Sequence, residues 1–424
     1  MNFIDELLKD EKVEWKKLKD ILVSINTGLN PRKNFILNDI NGELTSWYIT
    51  TKDYSLTEKI EFIEGKTARI TEEARKIINK RSNLEKGDLL FSAVGTVGKV
   101  ALVEIEPKNF DVNESTFILK PNKNIIIDKY LLHYLRGSIF QSKLSSKLRG
   151  STLTGIRKGD LENFEIPIPS LETQEKIVEI LDKFTNYVTE LQSELQSRTK
   201  QYTYYRDMLL SEEYLNKITK EMEEDRVEWK KLGEIGSFVN GSGMPKTMFE
   251  DKGDVGAIHY GHIYTKYNLF VKKPVIKISK ENSTKLKKVE FGDIVIAKTS
   301  ENIDDVMKSV AYLGEETVVV GGHSAIYSHK QNPKYLSYVL NGSIDVIKQK
   351  NKLARGVKVI ELSSVDMSKI KIPLPPLHVQ QHIVSILDKF DTLVNDIKEG
   401  LPKEIEQRQK QYEYWREQLL NFSK

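Results

Sequence analysis

Apolar residues between 173 and 210 recur on alternating three- and four-residue steps. They are Ile177, Leu181, Phe184, Val188, Leu191, Leu195, Tyr202, Tyr205 and Leu209, with Arg198 the one interruption. That spacing lays an apolar stripe along one side of a helix, and holding it for about five heptads predicts a helix that pairs with another. At 1.5 Å per residue, Thr173 to Leu210 would make a rod of roughly 55 Å. A second seam starts the same way, at Ile383, Leu387, Phe390, Val394 and Ile397, and then meets "EGLPKE". The interval from Phe390 to Tyr412 is four residues longer than that from Phe184 to Tyr202. A four-residue insertion is a stutter, so Gly400 and Pro402 predict a kink or a restart of the helix.

The two seams belong to a longer repetition. "VEWKKL" stands at 13–18 and again at 227–232. "KGDLLF" (86–91) answers "FGDIVI" (291–296), "YLLHYLRGS" (130–138) answers "YLSYVLNGS" (335–343), and "LRG" (148–150) answers "ARG" (354–356). "IPIPSLETQEKIVEILDKF" (166–184) matches "IPLPPLHVQQHIVSILDKF" (372–390), and "QYTYYRDMLL" (201–210) matches "QYEYWREQLL" (411–420). A period near 200 residues is too long for a solenoid and marks a duplicated domain: a globular portion, then a long helix, twice. Resemblance between the copies is sparse at roughly 20–85 and 235–290, as though the shared parts do one job twice and the middles serve different targets. Prolines just ahead of each helix suit positions where fixed φ and a missing N–H do no harm, and would hold each domain at a set angle to its rod.

Composition narrows the classes. With 424 residues and 39% apolar content the chain has room for two or three folded domains. It has no cysteine, which removes disulfides and thiolate metal sites. The first twenty residues are charged throughout and lack an apolar signal core, and no run is long enough to span a bilayer, so a cytoplasmic protein is expected. Thirty per cent charged residues leave a net of only +4, so any attraction to nucleic acid must come from local patches. Catalytic motifs are not evident. "SAVGTVGKV" lacks the first glycine and the Ser/Thr of a phosphate loop, and the seven histidines show no metal-ligand spacing.

Recognition chemistry is more evident. Several segments mix Lys or Arg with Gly, Ser, Thr, Asn or His beside a short apolar run, a composition that places phosphate-binding cations and base-reading donors on loops between strands. They nominate Arg32, Lys33, Lys99, Arg149, Ser151, Thr152, Arg157 and Lys158 in the first half. In the second half they nominate Lys298, Ser300, Asn302, His323, Ser324, Arg355 and Lys358, and "HYGHIYTKY" adds Tyr260, His262 and Tyr264 as flat groups for sugar or base. No catalytic residue and no metal ligand is nominated.

The ordered series, carried twice, resembles the specificity subunit of Type I restriction–modification systems. The resemblance spans nearly the whole chain, from each "VEWKKL" through the "GD" and its apolar strand to the Pro-rich junctions at Gln174 and Gln380 and the matching helix ends. It implies an α+β fold with a pseudo-two-fold repeat. Target recognition domains at 1–170 and 226–375 would alternate with helical segments at 171–225 and 376–424, paired as an antiparallel coiled coil. Double-stranded DNA would be the ligand, each domain reading half of an asymmetric bipartite site. Two methylation subunits and two restriction subunits would be the partners, and S-adenosylmethionine, ATP and Mg2+ would be bound by them, with no cofactor on this chain. Two other classes compete: a coiled-coil scaffold that binds only proteins, and a DNA-processing enzyme with an unrecognised site.

Overall fold

The hexapeptide that opens each half is an edge strand, and the Pro-rich junction is its partner. In a computed structural model, which describes residues 11–30, 44–54, 59–149, 155–222, 227–396 and 400–422, Glu14–Lys17 pairs antiparallel with Glu165–Ile168, setting Trp15 across from Pro167. The second copy repeats the register: Glu228–Lys231 pairs with Lys371–Leu374, and Trp229 faces Pro373. Proline donates nothing to a ladder, so a two-stranded ribbon at an edge is where it fits. The stiff junction read from the sequence is thus a strand.

Contacts divide the chain into two units, Met1–Ser193 with Glu404–Lys424, and Glu194–Lys403. The first is built on a sheet ordered Leu22–Thr27, Thr116–Pro121, Leu89–Ser92, Val100–Leu102, beside a smaller sheet ordered Ala68–Ile70, Ser46–Ile49, Phe110–Val112. The second has the same order, Gly236–Asn240, Ser324–His329, Ile294–Ala297, Ser309–Tyr312, with Phe270–Val271 added at the edge. Its smaller sheet runs Ile276–Ile278, Val255–Ile258, Val318–Val320, Lys287–Val289. Even the parallel pairing is shared: Ser46–Ile49 runs parallel to Phe110–Val112, and Val255–Ile258 to Val318–Val320. The middles that barely resemble one another in sequence therefore share a topology.

The "GD" pair launches the central strand of each unit. Gly87 and Gly292 both have φ of +92°, a conformation that favours glycine. Their N–H groups donate to the carbonyls of Val103 and Tyr312, both at 2.8 Å. The following Asp88 and Asp293 carboxylates accept from the backbone N–H of Glu85 (2.8 Å) and Glu290 (2.9 Å), closing the turn. The signature is a device of backbone geometry.

Helix Leu171–Leu209 runs unbroken for 39 residues. In the second copy two helices, Leu377–Asn395 and Leu401–Leu419, take the place of one. Pro402 sits in the first turn of the latter, where its missing N–H costs nothing. A Cβ on Gly400 would lie 2.3 Å from the Thr392 carbonyl oxygen, so the chain turns there on a residue with none. Ile397, read as a seam position, lies outside the described residues.

Antiparallel pairing appears inside each unit. In the first, Phe184 stacks on Trp415 (6.5 Å between centroids, 22° between planes), while Tyr187, one turn further along, meets Glu404 at 3.2 Å and Arg408 at 5.0 Å. In the second, the equivalent pair Phe390 and Tyr205 stacks at 5.1 Å and 24°. The first unit's core takes in Tyr412, Leu419 and Leu420 from the last helix beside Ile177 and Leu181. The second takes in Tyr202, Leu209 and Leu210 beside Ile383 and Leu387. Units defined by contact therefore differ from the continuous segments expected at 1–170 and 226–375, because each core is completed by the far end of the other repeat's helix.

Gln174 and Gln380 bind each helix start to its domain. Gln174 is wholly buried; its Oε1 accepts from Ile127 N–H (2.9 Å) and its Nε2 donates to the Ile125 (3.1 Å) and Pro169 (3.0 Å) carbonyls. Gln380 accepts from Asn332 N–H (3.0 Å) and donates to the Pro375 carbonyl (2.8 Å) and to Gln331 Oε1 (3.0 Å). A partly shielded ion pair reinforces each joint, Lys129 with Asp182 and Lys334 with Asp388, both at 2.5 Å. Gln380→Ala would strand those partners in the interior and should cost about 2–4 kcal/mol. The check is the midpoint of thermal or urea unfolding of the second unit. An unchanged midpoint would show that the amide is dispensable.

Candidate nucleic-acid interface

Beyond each central strand the chain continues into a second, shorter pairing that the two repeats share. In the second unit Thr299–Ser300 pairs antiparallel with Ile360–Glu361, and Leu362 N–H donates to the Lys298 carbonyl at 2.9 Å. In the first, Val94 bridges Gly155, and Ile156 N–H donates to the Ala93 carbonyl, also at 2.9 Å. Counting from the "GD" pair, Val94 corresponds to Thr299, and their bridge partners Gly155 and Glu361 correspond in turn. This extension gathers the nominated residues.

In the second unit most of them come together. Lys298 N–H donates to the His323 carbonyl (2.8 Å), and the His323 Nδ1 lies 3.2 Å from Thr299 Oγ1. His323 is exposed, with a left-handed φ of +62°. Helix Tyr260–Thr265 lies alongside: Tyr260 is 5.2 Å from the His323 ring and 6.3 Å from that of Tyr264, whose hydroxyl donates to the Thr299 carbonyl. Ser300 Oγ accepts from Asn302 N–H at 3.1 Å. On the opposite strand of the ribbon, Arg355 exchanges two backbone hydrogen bonds with Glu361 (2.9 and 2.7 Å), so the exposed Arg355 and Lys358 sit on the loop that closes it.

Side chains behind this surface hold it in shape. Lys350 is buried; its Nζ donates to the carbonyls of Ile303 (2.8 Å) and Asp304 (3.2 Å), fixing the loop that carries Asn302. Burial pulls its pKa below the ordinary lysine value, opposed by Asp304 and Asp305. His259 and His262 are held below the ordinary histidine value, first by burial and then by neighbouring groups that include Lys246. They pack against Phe249 (5.4 and 6.2 Å), and His262 also against Tyr267 (6.5 Å). His262 is thus half-buried within the aromatic cluster that includes Tyr260 and Tyr264.

One nomination needs correction. Ser324 is fully buried, paired across from Ala297 as the first residue of a core strand, and offers nothing to a ligand at the surface. Lys158 aims its ammonium at the Ile25 carbonyl (2.8 Å), with Glu162 at 3.8 Å; it ties a short helix to the sheet. In the first unit Lys99 and Arg157 remain exposed on the two segments joined by the Val94–Gly155 bridge. Arg32, Lys33, Ser151 and Thr152 lie outside the described residues, as does the side chain of Arg149. Sequence reading missed Lys350, whose contribution is two backbone contacts, a role that leaves no local motif.

Among the described residues no helix is long and apolar enough to cross a membrane, and no group of three or more His, Asp and Glu side chains is placed to hold a metal ion.

Residues 10–201 and 224–407 each match the family model described as the Type I restriction modification DNA specificity domain. The chain belongs to that family. A type I restriction enzyme specificity subunit of Escherichia coli is 38% identical over 277 residues, covering 61% of this chain and 64% of that protein. A putative type I restriction enzyme specificity subunit of Haemophilus influenzae is 29% identical over 432 residues, covering 99% of this chain and 98% of its own. The fold is that of a solved specificity subunit from M. genitalium (TM-score 0.53, 16% identity, 98% of each chain). A chain from a structure of an assembled type I system is similar too (TM-score 0.57, 16% identity, 96% and 97% covered).

Lys350→Met, which keeps the stem and removes the donor, should release the Asn302 loop. Hydrogen exchange at the Asp305 and Val306 amides, which donate to the Asn302 carbonyl, should quicken about tenfold or more, the equivalent of losing one charged hydrogen bond. Unaltered exchange at those amides would show that the loop orders itself.

Proposed function

We propose that this chain is the DNA-reading subunit of a Type I restriction–modification system and performs no chemistry of its own. The observation that carries the reading is the twin extension of the central strands. The same backbone device, built twice on the same sheet order, carries unlike residues: Lys298, Thr299 and Ser300 in one unit, and Ala93, Val94 and Gly95 at the matching positions of the other. Equal frames with different tips read different base clusters, so the target is bipartite and asymmetric. Exposed Lys and Arg side chains position each unit on phosphates, and hydroxyl, amide and guanidinium groups at the extension read base edges.

The helices set the distance between the two half-sites and dock the partners. Two methylation subunits would carry S-adenosylmethionine and modify adenine, which requires the base to leave the stack. Two restriction subunits would bring ATP and Mg2+. Paired helices alone would serve a protein-only scaffold equally well; two diverged tips on a common frame, each with exposed cations beside it (Lys99 and Arg157, Arg355 and Lys358), favour DNA.

Methylation-pattern sequencing of cells expressing the chain with its partner subunits should reveal one split adenine motif with unlike halves. Exchanging residues 235–370 for the corresponding segment of another family member should change one half and leave the other. A continuous palindrome, or a change in both halves, would contradict the reading.

A further inference from the structure

The ribbon in the second unit ends in an apolar side chain that touches almost nothing. Val357 is 96% exposed, the most of any large apolar residue described, and Val359 two positions on is 58% exposed. Both sit on the loop between Arg355 and Ile360. Gly356 has a φ of +114°, and a Cβ there would fall 2.0 Å from the Val359 carbonyl oxygen, so the turn is tight and lifts the tip clear. Arg355 and Lys358 flank the tip, both exposed, with Lys352 at the end of the preceding helix exposed as well.

A branched apolar group set among cations suits a polyanion that carries small apolar spots. Double-stranded DNA has one, the thymine C5-methyl, and displays it in the major groove. That groove, about 12 Å wide, admits a two-stranded β-ribbon, and the minor groove displays no methyl group. Valine is also short for prising base steps apart, a task for Phe, Leu, Ile or Met. One isopropyl group is too small a patch to anchor a protein partner. At the position of Val357 the first repeat has Ser151, so the two tips differ in chemistry where they would meet bases.

We infer that Val357 is a specificity-determining residue: inserted with its ribbon into the major groove, it contacts a thymine methyl in the half-site read by the second unit, while Arg355 and Lys358 engage the flanking phosphates. The inference rests on the function proposed above and deepens it. It assigns to one side chain the preference for an A·T pair at one position.

The test uses the full chain in its co-purified complex and duplexes carrying the methylation motif. Each thymine of the half-site that changes in the 235–370 exchange is replaced, one at a time, by deoxyuridine, which keeps the pairing and removes only the methyl. One position should weaken binding about fourfold, the worth of one buried methyl group. Val357→Ala should abolish that sensitivity and leave substitutions in the other half-site unaffected; Val357→Ile should retain it. At 96% exposure neither variant disturbs the fold, and an unchanged melting temperature confirms this. A deoxyuridine penalty that survives in Val357→Ala, the absence of any penalty in the unsubstituted protein, or a half-site made only of G·C pairs would overturn the inference. If the complex fails to prefer its motif over a scrambled duplex, the proposed function itself falls.

Discussion

Each half of this molecule depends on a helix end that originates elsewhere in the chain. The first unit is closed by Tyr412, Leu419 and Leu420, and the second by Tyr202, Leu209 and Leu210. These are the two copies of one motif, "QY" through "LL", and each completes the core of the repeat in which it does not begin. Burying a leucine fully contributes about 1.5–3 kcal/mol, so three such residues are a large part of a domain's net stability of about 5–15 kcal/mol. Neither recognition unit is complete as a continuous segment.

Buried polar groups make the closure specific. His133 Nδ1 lies 2.9 Å from the Tyr412 hydroxyl, and its Nε2 is 3.4 Å from Asp182, which also pairs with Lys129. Burial keeps that histidine below its ordinary pKa despite the carboxylate. In the other unit Tyr338 takes the place of His133 and donates to Asp388 at 2.9 Å. A buried donor left without its acceptor costs more than a mismatched methyl, so these contacts favour one register of the paired helices over a slipped one. The frame can then stay constant while the tips vary, which is what reading different sequences with one scaffold requires.

Much of the frame was legible in the sequence, because long apolar seams and a repeated tryptophan hexapeptide are strong signals. The seam from Ile177 to Leu209 became one helix, and the Gly400–Pro402 break became a restart. The middles were illegible for a physical reason. Strands such as Ser46–Ile49 and Val255–Ile258 are four residues long and pair in parallel with segments some sixty residues away, too short to show a period and too distant to show a turn. The exchange of helix ends was also hidden, since a seam shows that a helix pairs without naming its partner. At the site, Ser324 was misread because "GGHS" looks like a loop, while the strand begins one residue earlier than its apolar run suggests.

Hydrogen exchange on Leu419→Ala is the most direct test of this architecture. The substitution removes a fully buried side chain near the end of the chain and should cost about 2–5 kcal/mol. The account predicts that protection falls across Leu89–Ser92, Thr116–Pro121 and Asp128–Arg136 in the first unit, more than two hundred residues away in sequence. Strands Ile294–Ala297 and Ser324–His329 of the second unit should keep theirs. Loss of protection in the second unit, with the first unaffected, would contradict it.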